Sequence, residues 1–110
     1  MDIEIKKDLT SNWFKLLQDA FCKDINKLEN NKTKFVTTMW KKNHKKDEGG
    51  GEYRILKNGK IFDKVGVNFS KVYGTFPKQF QKNIPGTKND PRFWVSGISV
   101  VMHMKNPLIP

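Results

Sequence analysis

GGGEYRILKNGKIFDKVGVNFSKVYG, residues 49–74, is the stretch of sequence that decides the fold. Glu52–Lys57 alternates polar and apolar side chains, which is typical of a β-strand with one buried face. Asn58 and Gly59 follow it, and Asn-Gly between two apolar runs is the strongest short signal for a hairpin with a type I′ turn. KIFDKVGVNFS, residues 60–70, supplies the return strand. The centre of the stretch is therefore predicted to be an antiparallel hairpin.

The glycine triplet Gly49–Gly51 comes just before this hairpin, at the end of a polar segment that is predicted to be a loop, residues 41–51. A phosphate-binding glycine loop leads into a helix and carries a GxGxxG or GK[ST] pattern. This triplet leads into a strand and has neither pattern. It is therefore predicted to form a turn with unusual backbone angles, and nucleotide binding is disfavoured.

An amphipathic helix is predicted before the hairpin, from about residue 10 to residue 29. Thr10 and Ser11 are candidate N-caps, and Asn30 and Asn31 end the periodic pattern. Cys22 lies in this pattern and is predicted to be packed, not reactive. The other apolar residues at helical spacing are predicted to face the core: Trp13, Leu16, Leu17, Ala20, Phe21, Ile25 and Leu28.

Two further strands are predicted, one on each side of the hairpin. Lys34–Trp40 and Arg92–Met104 are both rich in β-branched and aromatic residues. Between them, residues 72–91 are interrupted by prolines and glycines, with one helical turn near residues 78–82. A helix followed by strands in hairpin connection is typical of the α+β class with an antiparallel sheet. The 110 residues are predicted to form a single domain, residues 1–110.

The net charge of +10 points to an anionic partner, such as nucleic acid, an anionic membrane or an acidic substrate. However, nineteen of the 21 basic residues are lysines. Arginine, which makes bidentate contacts to phosphates and bases, occurs only at positions 54 and 92. The single cysteine excludes an internal disulfide, and no apolar run approaches the ~18 residues of a membrane span. We expect a soluble, cytoplasmic protein with no membrane span.

His44 and His103 are the only histidines, and no CxxC or HExxH spacing indicates a metal site. His44 lies in the lysine-rich loop and is predicted to be solvated. His103 ends the last predicted strand and shares a strand face with Ser99 and Val101, about 13 Å from Ser99 at roughly 3.3 Å per residue. That separation excludes a nucleophile–base pair, but both side chains can line one concave surface.

Two ordered motifs give the chain a resemblance to the oxygen-dependent coproporphyrinogen III oxidase family. The first motif consists of Trp40, Gly49–Gly51, Leu56, Gly59, Phe62-Asp63-Lys64, Gly66-Val67-Asn68, Ser70, Val72 and Gly74. The second consists of Phe93-Trp94, Gly97-Ile98-Ser99, Val101, His103, Asn106-Pro107 and Pro110. The resemblance extends from about residue 10 to the last residue and corresponds to the N-terminal third of such an enzyme, so the predicted domain is a partial one.

The resemblance implies an activity, a fold and an assembly. Enzymes of the family oxidatively decarboxylate two propionates of coproporphyrinogen III to vinyl groups, giving protoporphyrinogen IX in haem biosynthesis. They use O2 as co-substrate and require no cofactor, although a divalent metal is associated with bacterial members. Their fold is a large antiparallel sheet flanked by helices, and they work as homodimers.

The resemblance also implies roles for individual residues. Ser99 matches a substrate contact, and His103 matches a position associated with metal binding. The family's proton-donor histidine lies beyond the position of Pro110, so no catalytic residue is assigned here and we expect no turnover from the chain alone. Asp63 stands where the family has Glu, and Met104 where it has Pro. The segment that matches a dimer contact contains Ile55, Leu56, Lys57, Asn58, Gly59, Lys60, Ile61, Phe62, Asp63 and Lys64.

Two other functions remain open at this point. The first is a small basic module that binds nucleic acid on its sheet, with Phe93 and Trp94 stacking on bases. The low arginine content and the lack of an RNP, KH or OB signature argue against it, so no nucleic acid is expected as a partner. The second is a fragment that pairs with a full-length oxidase and alters its dimer.

Overall fold

The computed structural model describes residues 1–110 and consists of a long helix packed on one face of a four-stranded sheet. The strands lie in chain order, β1-β2-β3-β4, and each is antiparallel to the next. The predicted α+β class with an antiparallel sheet is confirmed. The elements are α1 (Ile3–Leu28), β1 (Val36–Lys41), β2 (Gly49–Lys57), β3 (Phe62–Thr75), α2 (Lys78–Gln81) and β4 (Arg92–Met104).

The sheet agrees with the prediction most closely at its last strand. β4 has the predicted bounds, and α2 lies where one helical turn was expected. β3 is longer than predicted and continues past residue 70 to Thr75, because β4 pairs with it along its whole length, from Phe62↔Met104 to Thr75↔Arg92.

Neither α1 nor α2 combines the length and hydrophobicity that crossing a bilayer requires.

The glycine triplet is part of β2, so its placement in a loop is wrong. Only Gly49 has a positive φ, at 82°. Gly51 is in ordinary strand conformation, but a Cβ atom there would collide with the carbonyl oxygen of Phe69 and come within 2.7 Å of the Trp40 ring. The glycines therefore allow a close approach of the strands and of Trp40.

α1 begins seven residues before the predicted start. Asp2 is its N-cap, and its carboxylate accepts a hydrogen bond from the backbone N–H of Glu4 at 2.9 Å. Ser11, one of the predicted caps, lies inside the helix, and its hydroxyl donates to the carbonyl oxygen of Lys7. Thr10 also lies inside α1, so both predicted caps are wrong.

The face of α1 that meets the sheet is partly polar. Its buried residues are Ser11, Gln18, Cys22 and Ile25. Burial of Ile25 and Cys22 confirms the prediction for those two, and burial raises the pKa of the Cys22 thiol. The core positions predicted for Trp13 and Leu16 are wrong, because these side chains are 57% and 61% exposed. Leu17 is half-buried, and the remaining predicted core residues are exposed: Ala20, Phe21 and Leu28.

The hydrophobic core lies between the C-terminal half of α1 and the centre of the sheet. It is small, since only 12 of the 110 residues are buried. Its members are Cys22, Ile25, Leu56, Phe62, Val65 and Val67.

Gln18 joins the helix to the sheet. It is fully buried, and its Nε2 donates hydrogen bonds to the carbonyl oxygens of Glu52, at 2.9 Å, and Val67, at 3.1 Å. These carbonyls belong to neighbouring strands, so one side-chain amide fixes α1 against both β2 and β3. A buried polar group of this kind specifies where the helix sits as well as how tightly it packs.

We expect Gln18→Ala to lower the free energy of unfolding by about 2 kcal/mol, because the two hydrogen bonds to the sheet carbonyls, a third accepted from Lys15 and some packing are lost. Urea denaturation followed by circular dichroism measures the change. Asn12→Ala, at an exposed position of the same helix, is the matched control and should change stability by less than about 0.5 kcal/mol. Equal stabilities of the two variants would show that the Gln18 contacts do not stabilise the fold.

The β2–β3 connection is a four-residue loop, residues 58–61, so the predicted two-residue type I′ turn is wrong. A type I′ turn needs positive φ at both central residues. Asn58 has a φ of 56°, but Gly59 is not in the positive-φ region.

Glu29, the residue after α1, determines the shape of this loop. Its carboxylate accepts three backbone hydrogen bonds, from Lys60 at 2.6 Å and from Ile61 and Phe62 at 2.8 Å each. The residue is only 2% exposed. Burial acts to raise the pKa of the carboxyl, but the hydrogen bonds from Phe62, Ile61 and Lys60 outweigh it and hold the pKa below its usual range.

Candidate functional site

The sheet has one face that α1 does not cover. Val65 and Val67 of β3 pack against α1, so the residues that alternate with them point to the opposite side. The register places Gly66 beside Val101 and Asn68 beside Ser99. We call the central part of this surface the open face, and it consists of Gly66, Asn68, Ser70, Gly97, Ser99 and Val101.

Small and polar side chains form the open face around Ser99. Ser99 and Asn68 are both exposed, and they lie opposite each other on adjacent strands. A Cβ atom at Gly66 would have no neighbour within 4 Å, and one at Gly97 would lie 3.7 Å from the Ser70 hydroxyl. A flat ligand can therefore approach the backbone here, and a hydroxyl and an amide are available to donate hydrogen bonds to a carboxylate.

His103 lies on the same side of β4 as Ser99 and is exposed. The three alternate residues Ser99, Val101 and His103 lie on one face of β4, which confirms the predicted shared face. Val101 lies between the other two, so Ser99 and His103 are not neighbours. The register neighbour of His103 is Lys64, a cation. No three or more His, Cys, Asp or Glu side chains of this chain lie close enough to share a metal ion. A single imidazole beside an ammonium does not fit a divalent metal by itself, so the metal role of His103 stays a prediction.

The hairpin segment Ile55–Lys64 has a buried side and an exposed side. Leu56 and Phe62 belong to the core, and Gly59 is also buried. Ile55 and Ile61 are half-buried. The exposed residues are all polar or charged: Lys57, Asn58, Lys60, Asp63 and Lys64. Any subunit contact made by this segment therefore uses a largely basic surface.

These features belong to a fold whose sequence has recognisable relatives. A profile of the family described as coproporphyrinogen III oxidase matches residues 9–110. The chain belongs to the coproporphyrinogen III oxidase family. The match covers both motifs of the sequence, including the open face and the hairpin segment.

Three of the relatives that the chain resembles are enzymes from Rickettsia species. The oxygen-dependent coproporphyrinogen-III oxidase of Rickettsia akari is 44% identical over 118 residues, which cover 100% of this chain and 40% of the relative. The enzymes of the same name from Rickettsia felis and Rickettsia typhi are 43% and 44% identical, and the match covers 40% and 39% of their lengths. The chain thus spans about two fifths of the length of the curated relatives it matches.

Two carboxylates near the sheet, those of Glu48 and Glu52, form ion pairs with basic side chains. Glu48 contacts Lys42 at 2.7 Å, and hydrogen bonds from Lys42 and Asn43 hold its pKa below the usual range. Burial acts to raise the pKa of Glu52, but hydrogen bonds from Lys15 and Arg54 outweigh it and lower that pKa. Asp47 instead accepts a hydrogen bond from the Tyr73 hydroxyl. His44 is exposed, as predicted.

The structure does not support base stacking by Phe93 and Trp94. Consecutive strand residues point to opposite faces, so the two rings cannot form one platform. Phe93 packs against Phe76, with 4.6 Å between ring centroids and 35° between the ring planes, and Lys42 Nζ lies 4.7 Å from the Phe93 ring centre. The pair of aromatic rings on which bases were predicted to stack is therefore not formed.

Sequence reasoning missed two residues that position the coproporphyrinogen III oxidase motifs, Gln18 and Glu29. Gln18 holds β3 through the carbonyl of Val67, next to Asn68 of the open face. Glu29 holds the hairpin loop. A polar residue on the buried face of a helix was the available signal for Gln18. No local signal marks Glu29, because its partners are more than thirty residues away.

Proposed function

We propose that this chain supplies one part of an oxygen-dependent coproporphyrinogen III oxidase and that its open face contacts the substrate. The observation that carries the proposal is the match of the whole chain to Rickettsia enzymes of that name at 44% identity. The shallow, exposed floor around Ser99 supports it, because a flat tetrapyrrole needs a surface without bulky side chains.

In this proposal the chain binds and orients the substrate. The Ser99 hydroxyl and the Asn68 amide donate hydrogen bonds to a propionate, while Gly66 and Gly97 let the macrocycle lie close to the strands. Conversion of one propionate carboxylate to a vinyl group releases CO2, one proton and two electrons. O2 takes up the two electrons with two protons and becomes H2O2, the second proton coming from solvent. The groups that move protons during turnover come from the part of the oxidase that this chain does not contain, so the chain alone is inactive.

The assembly and cofactor requirements of the oxidase belong to the same proposal. Homodimer contact uses the hairpin segment Ile55–Lys64, whose exposed side is polar and basic. The assembled enzyme works in the cytoplasm and needs no cofactor beyond O2 as co-substrate. If a divalent metal binds, His103 is one ligand and the other ligands come from the rest of the oxidase.

The test is an assay of protoporphyrinogen IX formation from coproporphyrinogen III under air. We expect no turnover from this chain alone, and turnover when it is co-expressed with the remaining part of the Rickettsia akari enzyme. Turnover by the isolated chain at the rate of full-length relatives would contradict the proposed division of roles. Absence of turnover in a stable complex of the two parts would contradict the proposed function.

Ser99→Ala tests the open face in the reconstituted enzyme. We expect kcat/KM to fall about tenfold, because one hydrogen bond to a charged group is lost. Ser96→Ala is the matched control: Ser96 lies on the same strand but faces α1, and its hydroxyl donates to the carbonyl oxygen of Ser70 at 2.8 Å. An unchanged kcat/KM for Ser99→Ala would show that Ser99 of the open face does not bind the substrate.

A further inference from the structure

α1 carries a row of apolar side chains on the side that faces away from the sheet. We call this row the outer stripe, and it consists of Ile5, Leu9, Trp13, Leu16 and Ala20. The four large side chains are 51%, 55%, 57% and 61% exposed in chain order. At 1.5 Å per residue the row is about 22 Å long. The spacing of three and four residues keeps all five on one face of the helix.

The outer stripe departs from the usual pattern of a surface helix. Such a helix turns apolar residues toward its own core and polar residues toward solvent. In α1 only the C-terminal half follows this pattern, with Cys22 and Ile25 in the core, whereas the N-terminal part turns Ser11 and Gln18 toward the sheet and the outer stripe toward solvent. A contiguous apolar row of this length on the outside of a protein marks a surface that another structure covers.

The charges of α1 indicate what kind of structure covers the outer stripe. Five lysines and four acidic residues lie between Ile3 and Leu28, so the helix is nearly neutral. Anionic membrane surfaces attract helices with a strongly basic polar face, which α1 lacks. Lys23 and Lys27 continue the outer side after Ala20 and end the apolar row. Apolar side chains at this spacing fit the ridges and grooves of another helix.

The greater length of the relatives points to a source for that helix. The Rickettsia akari enzyme matches this chain along its whole length and has about three fifths of its own chain outside the match. We propose that the outer stripe is the docking surface for this remaining part of an oxidase chain, which covers it with an apolar helix. The inference rests on the proposed function, since it takes its partner from the same enzyme.

A co-purification experiment tests the outer stripe. This chain, with an affinity tag, is co-expressed with the part of the Rickettsia akari enzyme outside the match, and the stoichiometry of the purified complex is measured. We expect a 1:1 complex with the unmodified chain. The double variant Leu9→Glu/Leu16→Glu should capture the partner at least tenfold less, because two carboxylates are then placed in an apolar contact.

A control variant and the activity assay make the outcomes distinct. Thr10→Glu adds a charge at an exposed position of the same helix that is away from the outer stripe, and it should leave capture unchanged. Circular dichroism verifies that every variant is folded. Equal capture by the double variant and the unmodified chain would overturn the inference. It is also overturned if nothing is captured, or if the chain alone forms a dimer that the double variant dissociates. A stripe-dependent complex without oxidase activity supports the inference and contradicts the proposed function.

Discussion

Glu29→Ala is expected to lower the free energy of unfolding by about 3 kcal/mol, because the buried N–H group of Phe62 and the partly buried N–H groups of Ile61 and Lys60 lose their acceptor at once. The carboxylate receives hydrogen bonds from Lys60, Ile61 and Phe62, and it is almost fully buried. No other side chain accepts a hydrogen bond from these three N–H groups. In a domain with so small a core, a loss of this size is a large part of the total stability.

Urea denaturation of the purified chain measures this change. Glu4→Ala, in the first turn of α1, is the matched control, since the Glu4 side chain is 72% exposed and pairs only with Lys7. That variant should change stability by less than about 0.5 kcal/mol. If Glu29→Ala is as stable as Glu4→Ala, the carboxylate does not hold the hairpin loop in solution.

The same carboxylate predicts an acid sensitivity. The pKa of Glu29 is lower in the folded chain than its ordinary value of 4.5. Its stabilising contribution is therefore complete above the unfolded pKa, and it is lost as the pH falls through the lower folded pKa. Glu29→Gln removes this titration and keeps one acceptor oxygen. We expect the stability difference between the unmodified chain and Glu29→Gln to shrink as the pH falls below about 4.5; a pH-independent difference would contradict this.

Gly49→Ala is expected to lower the free energy of unfolding by about 3 kcal/mol, for two reasons. Gly49 has a φ of 82°, a conformation that costs about 1–2 kcal/mol with a side chain present. A Cβ atom there would also collide with the carbonyl oxygen of Lys71 and lie 2.9 Å from the Cα of Val72. The backbones of β2 and β3 would have to separate.

Gly66→Ala is the matched control for this substitution. Gly66 is also a strand glycine, but its φ is not positive and a Cβ atom there would meet nothing within 4 Å. We expect its stability to change by less than about 1 kcal/mol. Thermal and urea denaturation of both variants give the comparison, and a Gly49 variant that is no less stable than the Gly66 variant would contradict the geometry described for β2.

The sequence predicted the features that depend on local pattern. The β-branched run from Arg92 to Met104 gave the bounds of β4, and the motifs around Gly66–Asn68 and Gly97–Ser99 gave the family. The shared face of Ser99 and His103 followed from strand alternation alone. Each of these depends on residues close in sequence or on a repeated period.

The features that were missed depend on contacts between distant residues. Asn58 and Gly59 carry the pattern of a type I′ turn, but Glu29 binds the following amides and imposes a longer loop. Trp13 and Leu16 have the spacing of a core face, but the helix meets the sheet through Gln18, which donates hydrogen bonds to two carbonyl oxygens there. Periodicity shows that a helix has an apolar side and does not show which partner covers that side.

The simple strand order of the sheet has a consequence for biosynthesis. Every strand pairs only with strands next to it in the chain, and hairpins form in roughly 1–10 μs, whereas ribosomes add about 5–20 residues per second. Each pairing can therefore finish before the next strand has been translated. Packing of α1 on the sheet takes longer, because Gln18 needs Val67, which lies 49 residues further along the chain. Those residues take roughly 2–10 s to translate. Until Val67 has been made, the side of α1 that meets the sheet lacks its β3 partner, so we expect a nascent-chain chaperone to bind that side.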